Sequence, residues 1–178
     1  TIAIHTLTLT VTDNDGATAT DTVVLTIFNV TTSKSVLKKT GQTTIYTDYD
    51  DGYYQKGSTP RYIRASNSVT DELTHLMWQD DTTAAEMSWT NAQTYCLDLN
   101  LDGYDDWRLP TRAELVNLSD NGKILPAIDP IFQNIISTYY WSLTTVASKT
   151  NEAWYVSFYY GAQGTAYKIF SHYARCVR

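Results

Sequence analysis

Residues 4–12 read I-H-T-L-T-L-T-V-T, an alternation of apolar side chains and threonine with a period of two. A helix scatters that pattern around its axis. A strand places Leu7, Leu9 and Val11 on one face and Thr6, Thr8, Thr10 and Thr12 on the other. Asp13-Asn14-Asp15-Gly16 follows, a set of residue types that tolerates left-handed backbone, and a second strand is expected over 18–28. The unit is a β-hairpin. A hairpin alone is marginal in water, so its apolar face is expected to pack on something.

Composition carries the strand signal beyond the hairpin. The 178 residues include 28 threonines, 14 tyrosines and 5 tryptophans, types that fit a pleated, half-buried surface. With 43% apolar residues the chain is not disordered, and it holds no apolar run long enough to insert into a membrane. A net charge of −6 argues against nucleic acid as a partner, because such affinity rests on cationic contacts to phosphate. The chain opens at Thr1 without a signal-like stretch, so it reads as a piece of a longer exported protein. Cys96 and Cys176 form no zinc pattern; a long-range disulfide or two buried thiols are the alternatives.

Residues 31–46 are polar and read as a linker. Beyond them Leu76-Met77-Trp78-Gln79 is expected to be a strand. Ser88 caps a helix to about Leu99, with Trp89, Ala92, Cys96 and Leu99 on one face. Thr111-x-x-Glu114 is a capping box for a second helix with Leu115 and Leu118 inward. Strands are expected over 139–145, 153–160, 166–170 and 172–177, with a hairpin turn at Gly161-Ala162-Gln163-Gly164. Two helices followed by a strand-rich half make an α+β domain.

T-L-T-V-T-D-N-D-G-A-T-A-T-D-T-V-V-L-T-I resembles the last two strands of a PKD-type repeat, an extracellular immunoglobulin-like sandwich. That implies an incomplete sandwich over 1–30, a linker over 31–46 and a separate domain over 47–178. Within the latter, L-M-W-Q, W-T-N-A-Q-T-Y-C, G-Y-D-D-W-R-L-P-T-R-A-E-L, P-A-I-D-P-I-F, Y-Y-W-S, A-W-Y-V-S-F and Y-A-R-C-V-R are similar in order and spacing to the Lcl C-terminal domain family. The resemblance implies a C-type-lectin-like fold, two helices on a small twisted antiparallel sheet, with a disulfide between Cys96 and Cys176. It also implies a bacterial surface or fibre protein; the founding domain is associated with trimerisation and sulfated glycans.

For chemistry, no Gly-x-Ser-x-Gly, His-Glu-x-x-His, phosphate-binding loop or dinucleotide glycine pattern occurs, and the closely spaced cysteines of sulfatase-activating relatives of the fold are missing. No catalytic residue is assigned. Asp98, Asn100 and Asp102, and separately Asp48, Asp50 and Asp51, gather hard oxygen atoms, so calcium is the cofactor they would take. The first set fails the EF-hand pattern at its twelfth position, Leu109. Asp106 is expected to bond backbone or Arg108.

Charge is uneven: residues 71–120 hold eleven acidic residues and two arginines, whereas 139–178 hold one glutamate against Lys149, Lys168, Arg175 and Arg178. An anionic ligand would be steered to the second stretch if it forms one face. Along 153–160 the alternation puts Trp154, Val156 and Phe158 in the core and Tyr155, Ser157 and Tyr159 outward. The expected ligand contacts are Tyr155, Tyr159, Tyr160, Gln163, Tyr167, Lys168 and His172. The expected function is a non-catalytic extracellular adhesion module for a glycan or another surface polymer. The alternative is a fibre subunit whose hairpin adds to a homo-oligomer or filament neighbour.

Overall fold

The computed structural model describes residues 3–27, 37–83 and 85–178, which fall into two compact units, Thr1–Ser35 and Val36–Arg178. In the first, β1 (Ala3–Thr12) and β2 (Thr18–Ile27) pair antiparallel from Thr12 opposite Thr18 to Ala3 opposite Ile27. Asp13 closes the turn by accepting hydrogen bonds from the amides of Asp15 and Ala17 through Oδ1. Leu9 and Val11 are exposed rather than buried, so the apolar stripe is a free face along the described residues. The side chain of Leu7 lies outside the described residues.

The polar stretch expected as a linker lies partly outside the described residues. Its end, from Leu37, is built into the second unit. Lys38 is half-buried, and its Nζ donates to the Tyr62 hydroxyl and the Asn117 carbonyl at 2.9 and 2.8 Å. Burial pulls its pKa down. The reason is local: a helix end leaves carbonyls without partners, and an ammonium satisfies them.

The second unit contains a short helix α1 (Asp51–Tyr54) and a three-stranded antiparallel sheet of β3 (Tyr62–Arg64), β4 (Ser68–Asp71) and β5 (Met77–Gln79). Then come β6 (Glu86–Met87), α2 (Trp89–Leu97) and α3 (Arg112–Asn117). The chain ends with β7 (Tyr139–Val146), β8 (Lys149–Ser157), β9 (Gln163–Tyr167) and β10 (His172–Tyr173). These last four and β6 form a sheet in the order β6-β10-β7-β8-β9, with β10 parallel to β7. Both expected caps are present: Ser88 opens α2, and Thr111 and Glu114 bond reciprocally at α3.

The large sheet is covered on both faces. Tyr140 and Val156 pack with Leu115 of α3, whereas the neighbouring Trp141 packs with Ala92 and Cys96 of α2. Cys96 is bonded to Cys176, tying α2 to the C-terminal segment. That segment lies between β5 and Arg108, with Val177 bridged to both Trp78 and Arg108.

A buried ionic hub joins the sheets. Asp80 is buried and bonds Arg64 and Arg175, and the amides of Gln133 and Asn134 donate to its carboxylate. Burial pushes that carboxyl up, but the charge of Arg175 and the hydrogen bonds from Arg64 and Arg175 outweigh it and hold it below the ordinary range. A charge in such a place persists only when every oxygen is matched.

Candidate functional site

The site follows from how β7, β8 and β9 are registered. Tyr139 stands opposite Ser157, Trp141 opposite Tyr155, and Tyr155 opposite Gly164. Period two puts Tyr139, Trp141 and Tyr155 on one face. Tyr155 leans across β9 where Gly164 leaves room; a Cβ there would sit 2.6 Å from the Tyr155 hydroxyl. Its ring meets Tyr139 at 4.9 Å between centroids, edge to face.

The strand expected over 153–160 stops at Ser157. From Phe158 the chain turns, and the turn is pinned. The amide of Ala127 donates to the Phe158 carbonyl at 2.7 Å, and that of Leu125 to the Tyr159 carbonyl at 3.0 Å. Tyr159 and Tyr160 therefore project side by side, their centroids 4.1 Å apart. Tyr139, Tyr155, Tyr159 and Tyr160 line a cleft of about 520 Å³ whose rim includes Ser137, Thr138, Ser157 and Gln163. None of its lining residues is charged.

The seven expected contacts divide. Tyr155, Tyr159, Tyr160 and Gln163 meet at this cleft. His172 stands behind it, its ring 4.4 Å from Trp141 and 5.2 and 5.3 Å from Tyr155 and Tyr139. Its Nε2 is buried without a partner among the described residues, and burial lowers its pKa, so it wedges the aromatic layer as neutral imidazole. Tyr167 lies at the far end of β9 and packs on Phe170. Lys168 is spent elsewhere: its Nζ donates to Thr145 at 2.9 Å and covers the Trp89 ring. Tyr155 is half-buried and Ser157 buried, so the face expected outward is largely covered.

Tyr139, Arg112 and Trp154 were not among the expected contacts. Arg112 stacks its guanidinium 3.7 Å from the Trp154 ring and donates through Nε to Gln163 at 2.6 Å, fixing the cleft's rim. The Tyr139–Tyr140 pair already marked β7 in sequence; only the register against β8 tells which tyrosine faces the cleft.

The expected basic face does not form. Lys149 pairs with Glu152, Arg175 is buried on Asp80, and Arg178 pairs with Asp106 while stacking on Tyr104. Cations matched in this way leave little field to steer an anion. Asp106 thus binds Arg178 rather than Arg108, whose partner is Glu114.

In each acidic set one carboxylate is engaged by the chain's own donors. Among the described residues no group of three or more His, Cys, Asp or Glu side chains is placed to hold a metal. Asp102 turns to Ser68 and Asn67, away from the role expected with Asp98 and Asn100. Asp50, set between Asp48 and Asp51, accepts the amides of Tyr46 and Tyr53 as the cap of α1.

The model of the Lcl C-terminal domain matches residues 67–178. The chain belongs to the Lcl C-terminal domain family. No curated protein matches it. Membership marks the region as an adhesin-type surface module of a non-enzymatic family. Several of the stretches that carry the Lcl-type resemblance are framework: Trp107, Leu109 and Cys176 are core, and Gln79 accepts the Cys176 amide beside the buried Asp80–Arg175 pair. The tyrosine cleft stands on that framework. Among the described residues no helix is long and apolar enough to cross a membrane.

Proposed function

We propose that this chain is a non-catalytic extracellular adhesion module whose tyrosine cleft holds a stretch of carbohydrate or a related surface polymer. The observation that carries this reading is the convergence of Tyr139, Tyr155, Tyr159 and Tyr160 on one uncharged cleft with a hydroxyl and amide rim. Tyrosine presents a rigid apolar ring and a polar tip, and loses little conformational entropy on binding. Pyranose rings have the matching character, an apolar C–H face edged by hydroxyls. With no charged group in the lining, the ligand segment in the cleft is neutral, and calcium is not required. The fold supports the reading: two helices flank the sheet, and a disulfide ties α2 to the last segment, as in C-type-lectin-like domains. A glycan array run with and without a calcium chelator tests it; binding to neutral glycans in both conditions is expected, and silence across the array contradicts it.

A second reading rests on the hairpin. Leu9 and Val11 are exposed on a two-stranded sheet, which suits completion by strands of a PKD-type sandwich or by a filament neighbour. On that reading, deleting residues 1–30 abolishes assembly of the isolated chain; unchanged assembly after the deletion contradicts it.

A further inference from the structure

Outside the family-matched residues, the segment around α1 presents a second aromatic surface. Tyr49, Tyr53 and Tyr54 pack on one another with ring centroids 5.2–6.0 Å apart, and all three remain exposed. Tyr46 beside them is 80% exposed. Large apolar rings crowded together in water are unusual for an unoccupied surface.

The cluster is held in place from below. The Asp50 carboxylate accepts the amides of Tyr46 at 2.9 Å and Tyr53 at 2.8 Å, fixing the chain on both sides of Tyr49. Gly52 is buried against the Thr44 carbonyl, where any Cβ would clash. Tyr49 itself adopts φ of 71°, a left-handed conformation rare for an aromatic residue, and so turns its ring towards Tyr53 and Tyr54.

The charge around these rings selects an occupant. Residues 45–56 hold three aspartates against one lysine. Asp50 is committed to the backbone, whereas Asp48 and Asp51 are exposed. Anions are therefore disfavoured here. A cation already uses the surface: the Lys56 ammonium lies 4.4 Å from the centroid of Tyr54. Tyr49 and Tyr53 are left for a ligand that offers both an apolar ring face and positive charge.

We infer that Tyr49 and Tyr53, flanked by Asp48 and Asp51, form a binding site for a polysaccharide bearing free amino groups. The pyranose faces stack on the phenol rings, and the sugar ammonium groups meet the carboxylates. A lysine-rich peptide shares the charge but lacks a ring face to cover the tyrosines, so the sugar is the better match. The site shares with the cleft only the class of ligand, and it differs from it in charge.

The test measures binding of the full chain to oligomers of glucosamine and, separately, of N-acetylglucosamine, at a pH where the free amine is protonated. The glucosamine oligomer is expected to bind more tightly, and to weaken as salt is raised. Y53A, and independently the pair D48N and D51N, is expected to reduce its affinity about tenfold. The asparagine pair changes only two exposed carboxylates and guards against misfolding of the tyrosine variant. Y159A with Y160A in the cleft leaves this binding unchanged. The inference is overturned by equal affinity for the two oligomers, by full binding in the asparagine pair, or by a lysine-rich peptide binding where glucosamine oligomers do not. Loss of neutral glycan binding in the cleft variant alone would bear on the cleft and not on this site.

Discussion

Tyr155 can lean across the sheet only because its partner on β9 is Gly164. G164A would place a methyl group against the phenol and turn the ring away from Tyr139. We expect affinity for the cleft ligand to fall about tenfold with the fold retained; isothermal titration beside circular dichroism checks both halves. Polar residues away from the cleft give sharper stability predictions. R175M leaves Asp80 in the interior with one of its two cations gone, and should cost about 3 kcal/mol or more in a denaturant titration.

Glu114 gives the pH dependence. The hydrogen bonds from Arg108, first, and then from Thr111 lower its pKa to about 2 from an ordinary 4.5. The folded state thus prefers the carboxylate. Its contribution is complete above the ordinary value and fades as pH falls towards the folded one. E114Q should be less stable than the parent at neutral pH, with the gap closing in acid; a gap that stays constant with pH contradicts the assignment. The sequence made this residue legible, since its partner Thr111 lies three positions away in a known cap pattern. Asp80 was opaque, because its partners come from β3, the 133–134 loop and the C-terminal segment.

At the scale of elements, the long-range tether matters most. The Cys96–Cys176 bond closes a loop of 80 residues' separation, and removing it with C96A and C176A should cost on the order of 4 kcal/mol. Chemical denaturation of the oxidised protein and the double variant measures the difference. Strands and caps were well marked in the sequence where their signal is local: Ser88, Thr111 and the 4–12 alternation all stand where expected. The rule of one wet and one dry face failed at β8. Its two faces are covered by α2 and α3, so Tyr155 and Ser157 are shielded where alternation alone points them outward. The end of β8 was equally hidden, since it is set by amides of Leu125 and Ala127 bonding the turn.

Across the whole chain, net charge proved a poor guide. The cations of the C-terminal stretch are spent on Asp80, Glu152, Asp106 and Trp89, which no count of residues discloses. The lining of the cleft is aromatic and neutral, with Arg112 set behind Gln163, and so its binding should change less between low and physiological salt than that of the α1 platform. The measurement that tests the account most directly is a calorimetric titration of a neutral oligosaccharide, selected from the array, into the parent chain and into Y159A with Y160A. Calcium-independent binding by the parent is expected, with a loss of about tenfold or more in the variant at unchanged melting temperature. Equal affinity of the two proteins, or binding that vanishes with chelator, would contradict it.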